Sequence, residues 1–85
     1  MKIGDRVGAI KSADKEVVRF YGYGTYTGGE VPPKEVDEFL SELELENPKI
    51  ELDNGNIVWG CQCWWGSEEK VKQMIGNRAV EIVTE

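Results

Sequence analysis

Along this chain, stretches in which apolar and polar residues alternate are interrupted by stretches in which apolar residues recur every three or four positions. Alternation puts Ile3, Val7 and Ala9 on one side of a first strand over residues 3–10. Lys11-Ser12-Ala13-Asp14-Lys15 is polar and predicts a turn. A second β segment runs from Glu16 to Thr27. Its alternation assigns Val18, Phe20, Gly22, Gly24 and Tyr26 to one face and Val17, Arg19, Tyr21, Tyr23 and Thr25 to the other. Gly22 and Gly24 inside this run predict a bulge or a close backbone approach.

Gly28-Gly29 and Pro32-Pro33 end the β pattern. Between Pro33 and Asn47 the period becomes helical, with Val36, Phe39, Leu40 and Leu43 forming an apolar stripe. Asn47-Pro48 closes that helix, because a residue before proline avoids the α region. Residues 49–59 predict a β-hairpin around Asn54-Gly55, whose asparagine and glycine accept positive φ angles. A two-residue loop there sets Leu52 opposite Ile57 and Ile50 opposite Trp59, all on one face. Continued alternation puts Cys61 and Cys63 on the same face. Ser67 is an N-cap, Glu68 and Glu69 favour a first helical turn, and Val71, Met74 and Ile75 supply its apolar stripe. Gly76-Asn77 stops this helix, and Ala79–Val83 is a last strand. The expected fold is a single α+β domain, residues 1–85, in the order β-β-α-β-β-α-β. It is a bent antiparallel sheet or small open β-barrel with two short helices.

Composition adds limits. The 85 residues are 40% hydrophobic, with three Trp, three Tyr and two Phe to build a core. No apolar run reaches the ~20 residues that span a bilayer. Residues 1–5 lack the apolar core of a secretion signal, so a cytoplasmic location and no membrane partner are expected. Cys61 and Cys63 are separated by one residue, too close for a relaxed disulfide, and are expected as reduced thiols. The net charge is −6, and it is uneven. From Glu30 to Asp53 there are nine acidic and two basic residues, while the remainder has seven acidic and eight basic. Part of the surface can therefore meet an anionic ligand.

Catalytic chemistry is poorly supplied. The chain has no histidine, so the cysteines lack the usual imidazole activator. A lone Cys-x-Cys without histidine does not complete a structural zinc site. No catalytic residue, metal ligand or cofactor is expected, and the protein is not expected to be an enzyme. Binding chemistry is better represented. Phe20, Tyr21, Tyr23 and Tyr26 interleave with Gly22, Gly24, Gly28 and Gly29. This is either a platform on which nucleobases stack or a bent strand with core aromatics. Trp64 and Trp65 are adjacent, so on a strand they point to opposite faces and one of them is exposed or lines a pocket. Glu35, Asp37, Glu38, Glu42, Glu44 and Glu46 are either a solubilising surface or an imitation of a phosphate backbone.

The segments Gly22-Tyr23-Gly24-Thr25-Tyr26, Pro32-Pro33, Asn47-Pro48-Lys49-Ile50, Leu52-Asp53-Asn54-Gly55 and Val58-Trp59-Gly60-Cys61-Gln62-Cys63-Trp64-Trp65-Gly66 resemble a family of small phage and prophage proteins. The resemblance covers most of the chain, and its specific part is Trp-Gly-Cys-x-Cys-Trp-Trp-Gly. Gln62 departs from the acidic residue expected between the cysteines. The resemblance implies an anti-defence protein of the class that sequesters nucleotide signals of bacterial immunity such as Thoeris. It carries over no binding residue. On that reading, a nucleotide-like small molecule stacks where Tyr21, Tyr23 or Tyr26 approaches Trp64 or Trp65. Its phosphates need arginine, whose planar fork pairs with phosphate twice. Arg6, Arg19 and Arg78 are the candidates, with Arg19 preferred for its strand face and Lys49 too close to the acidic stretch. The expected site is therefore Arg19, Tyr21, Tyr23, Tyr26, Trp64, Trp65 and Arg78. A homo-oligomer is expected, since a pocket at a subunit boundary would relieve a small chain of an internal cavity and cover an edge near residues 20–27. The competing expectation is an acidic inhibitor, of anti-CRISPR or anti-restriction type, that binds the basic surface of a host defence protein. Neither reading involves direct binding of nucleic acid.

Overall fold

The structure, a computed structural model, describes residues 1–83. Its elements are β1 (Arg6–Ala13), β2 (Val17–Glu30), α1 (Glu38–Glu42), β3 (Asn47–Leu52), β4 (Ile57–Trp59), β5 (Trp64–Ser67), α2 (Glu68–Ile75) and β6 (Ala79–Ile82), with one 3₁₀ turn at Gly60–Gln62. This is the expected α+β fold with one strand added. The sheet runs β4-β3-β2-β1-β5 and does not close into a barrel. Its pairings are antiparallel except for β6, which joins β2 in parallel.

The strand β2 organises the rest. One of its edges pairs with β1 over Val18–Thr25. Its other edge is divided, with Val17–Phe20 taken by β6 and Gly24–Glu30 by β3. On that second edge, residues 21–23 lie between the stretches taken by the two partners. The expected bulge is present. Ala9 faces Gly22 and Ile10 faces Phe20, so Tyr21 is the extra residue, with Gly22 at φ 135. The bulge reverses the alternation and overturns the predicted faces. Tyr23 joins Phe20, ring centroids 4.8 Å apart, and packs with Ile10, Val18, Val71 and Ile75 beneath α2. Tyr21 and Tyr26 instead join Val7, Ala9, Ile50, Leu52 and Val58 in the other cluster. The expected close approach is at Gly24, where a Cβ would sit 2.3 Å from the Glu51 carbonyl oxygen.

Four further expectations are corrected. Ile3 lies outside β1 and is 76% exposed, because Met1–Asp5 folds into a turn tied by Lys2 N–H to the Asp5 carboxylate at 2.9 Å. The hairpin loop is Asp53-Asn54-Gly55, three residues long. Leu52 N–H donates to the Asn56 carbonyl at 2.8 Å and Gly55 takes φ 91. That extra residue shifts the register, so Ile50 faces Val58, Lys49 faces Trp59, and Ile57 turns outward. The alternation then ends at the 3₁₀ turn, which leaves Cys61 exposed and Cys63 half-buried against the core. Finally, α1 is only five residues long. Asp37 caps it by accepting from Leu40 N–H at 2.9 Å, and Glu44 at φ 53 follows its end. None of its residues is buried, so the predicted stripe does not face the core.

The second helix matches expectation except at Met74, which is 41% exposed. Ser67 Oγ accepts from Lys70 N–H at 3.2 Å, Val71 and Ile75 are buried, and Gly76 at φ 55 ends it.

Candidate functional site

The divided edge of β2 creates a cleft. Among the described residues, no strand pairs with residues 21–23 between the segments held by β6 and β3. Val83 N–H donates to the Phe20 carbonyl at 2.8 Å, and Asp53 N–H donates to the Tyr23 carbonyl at 3.0 Å, closing the ladder on either side. The resulting opening has a volume of about 620 Å³. Phe20, Tyr21, Gly22 and Tyr23 come from β2, Leu52, Asp53 and Asn54 from the hairpin, Lys72 and Ile75 from α2 with Gly76 just after it, and Val80 and Ile82 from β6. A mostly apolar wall with a few polar groups is the usual composition of a small-molecule site.

Charged groups run along one rim. Asp53 accepts from both terminal nitrogens of Arg6, at 2.7 and 2.6 Å, and Arg6 also reaches Glu68 at 3.3 Å. Glu68 lies 3.8 Å from Lys72, whose ammonium is 5.7 Å from the Tyr23 ring centroid. The bond from Arg6 holds the Asp53 carboxyl below its ordinary range, and the same bond holds Arg6 protonated. Burial, with Glu68 nearby, pushes the Tyr23 phenol up, so it stays a neutral hydroxyl at physiological pH. Asn54 Oδ1 accepts from Asn56 N–H at 2.9 Å, which holds the hairpin turn over the opening.

Of the seven residues expected to bind ligand, only Tyr21 and Tyr23 line this cleft. Tyr26 and Trp65 stack on each other, with ring centroids 5.4 Å apart and planes 17° apart, so each occupies the face offered to a base. Trp64 is 43% exposed on the edge strand β5, so the two tryptophans do diverge as the strand geometry required. Arg19 is 3.4 Å from Glu81, in a separate polar depression with Asp14, Lys15 and Glu16. Arg78 donates to the carbonyls of Ile75, Asp14 and Met74, fastening the end of α2 to the β1–β2 turn. Neither arginine is aimed at the cleft. Lys72 is the cleft's cation. The sequence marks it only as the i, i+4 partner of Glu68, and nothing local connects it to Val80, Ile82 or Leu52.

The Trp-Gly-Cys-x-Cys-Trp-Trp-Gly segment is a corner. Gln62 Oε1 accepts from Trp59 N–H at 3.0 Å, and Asn47 Oδ1 accepts from Cys61 N–H at 2.8 Å. A Cβ at residue 60 would lie 3.0 Å from Trp65 Nε1 and 3.1 Å from Pro48, so glycine permits the crossing. The Cys63 thiol lies 3.5 Å from the Trp59 carbonyl and is pushed up to about 11 by burial and by Cys61. Burial and the neighbouring Asp37 also raise Cys61. Both shifts disfavour the thiolate at neutral pH. No family model, curated protein or solved structure matches this chain.

Proposed function

We propose that this protein is a non-enzymatic binding protein that holds a nucleotide-like molecule in the cleft beside Tyr21–Tyr23. It would act stoichiometrically in the host cytosol as an anti-defence factor. The cleft itself carries the reading. A volume of about 620 Å³ bounded by Phe20, Tyr21, Tyr23, Leu52, Val80 and Ile82 suits a flat, apolar ring system. Lys72 on its rim supplies one positive charge for an anionic group. The Tyr23 hydroxyl and the Asn54 side chain add polar groups of the kind that orient a ligand. The absence of histidine from the sequence and the raised thiols weigh against covalent or acid–base turnover. The resemblance to small phage proteins supplies the anti-defence setting.

Ligand release tests it. The full-length protein is incubated with extract from cells in which defence signalling is active, washed, denatured, and the released compounds are identified by mass spectrometry. The expected result is a nucleotide-like compound retained by the wild type and by Arg19→Ala, and lost from Tyr23→Ala and Lys72→Ala. An empty wild-type protein refutes the reading. Conversion of a nucleotide by substoichiometric protein refutes the non-enzymatic part.

A further inference from the structure

The segment that joins β2 to β3 carries the entire formal charge of the chain. From Glu30 to Glu46 there are seven acidic residues and one basic one, net −6, while the rest holds nine of each and is neutral. The same segment displays large apolar side chains. Val31 is 40% exposed, Phe39 67%, Leu43 54% and Leu45 44%. These side chains stand on a defined backbone. Pro32 is fully buried, Asp37 caps α1, and Leu45 N–H donates to the Leu40 carbonyl at 2.9 Å. Internal cations neutralise little of the charge. Lys34 pairs with Glu42 at 3.9 Å and Lys49 with Glu30 at 3.3 Å. Among the described residues, Glu35, Glu38, Glu44 and Glu46 have no cation within ion-pair distance.

We infer that this segment is a docking surface for a protein partner that presents a basic surface with an apolar hollow in it. Phe39 and Leu43 are the anchors, and desolvating exposed side chains of this size is the main source of affinity. The surrounding carboxylates steer the approach and select a partner rich in lysine and arginine. A nucleic acid or an anionic bilayer is repelled by the same charge. A second copy of the chain would bring one −6 segment against another. None of the residues lining the cleft lies between 30 and 46, so this surface is independent of the ligand site.

The test uses the full-length protein and two fluorescein-labelled amphipathic peptides, leucine with lysine and leucine with glutamate at the same helical spacing, read by anisotropy. The lysine peptide is expected to bind and the glutamate peptide not to. Affinity should fall about tenfold or more between roughly 50 and 500 mM salt, as the screening length shortens. Phe39→Ser with Leu43→Ser leaves every charge in place and should lower affinity about tenfold. Leu45→Ser should lower it less, and Ile57→Ser, an exposed apolar residue elsewhere, should not. Glu38→Gln with Glu42→Gln should weaken binding and flatten its salt dependence. Absence of binding overturns the inference. So does binding that follows salt but ignores Phe39→Ser with Leu43→Ser, since that is bare charge attraction. Sedimentation showing self-association that Phe39→Ser abolishes would assign the surface to a second copy and overturn it as well.

Discussion

Replacing Gly24 by alanine tests the spacing on which both the core and the cleft depend. Gly24 stands opposite Leu52 where β2 passes β3. An added Cβ would lie 2.3 Å from the Glu51 carbonyl oxygen, 2.8 Å from Leu52 Cα and 2.9 Å from the Glu51 carbonyl carbon. All three are backbone atoms, so no side-chain rotation relieves the clash. The strands must separate by roughly 1 Å to restore van der Waals contact. Overpacking of this kind costs about 1–3 kcal/mol. The upper end applies, because the separation also strains the adjacent ladder and draws Leu52, Ile50 and Val58 away from Val7, Ala9 and Tyr21 across the core. A domain of this size is stable by on the order of 5–10 kcal/mol, so a loss near 3 kcal/mol should lower the melting temperature by roughly 15 °C. Circular dichroism melts and urea titrations followed by tryptophan emission measure it. The control is Gly66→Ala, also in a strand, where the nearest atom is Trp64 Cη2 at 3.4 Å. That change should stay within about 1 kcal/mol of wild type. A Gly24→Ala protein melting within a few degrees of wild type would refute the spacing, and with it the fixed hairpin wall of the cleft.

Removing the Arg78 guanidinium should destabilise the fold, because it satisfies the last carbonyls of α2 and ties them to the Asp14 carbonyl. Arg78→Ala is expected to cost about 1–2 kcal/mol in urea titrations while leaving ligand retention by the folded protein intact; loss of ligand with no loss of stability would return Arg78 to the binding site. Both cysteines should react with a disulfide reagent at pH 8 more slowly than free cysteine, since raised thiols hold less thiolate at any given pH. The exposed Cys61 should react first and Cys63 about tenfold or more behind it, with the Cys63 rate climbing as pH approaches its value of about 11; equal, rapid rates for both would contradict the packing of Cys63.

Local signals in the sequence proved accurate. Gly22 and Gly24 announced the bulge and the close approach, Ser67 announced its cap, and Gly76 announced the end of α2. The failures of register share one cause. At Tyr21 one inserted residue reversed the pleat, and in the hairpin one added loop residue moved every pairing by a position. Period-two reasoning has no tolerance for such shifts. The stripe Val36, Phe39, Leu40 and Leu43 had helical spacing, but spacing alone did not say that a surface existed to receive it.

The site was legible in part. Tyr21 and Tyr23 stood out because aromatics beside glycines invite contact, and they do line the cleft. Tyr26 and Trp65 stood out for the same reason and turned out to satisfy each other. The charge of Arg19 and Arg78 suits a phosphate, but charge is equally useful for fastening a turn or pairing with Glu81.

By itself, then, the sequence determined what is decided within a few residues: the order of most strands and helices, the bulge, the cap and end of α2, and the concentration of charge between Glu30 and Glu46. These depend on backbone preferences and local hydrogen bonds, which travel with the residues. The tertiary structure alone decided that β6 returns in parallel to Val17–Phe20 while β3 takes the rest of that edge. It thereby decided that a cleft opens between them and that Lys72 stands at its rim. Such pairings join residues some sixty positions apart. They are selected by which apolar faces can be buried together, a property of the whole chain that no short stretch of it encodes.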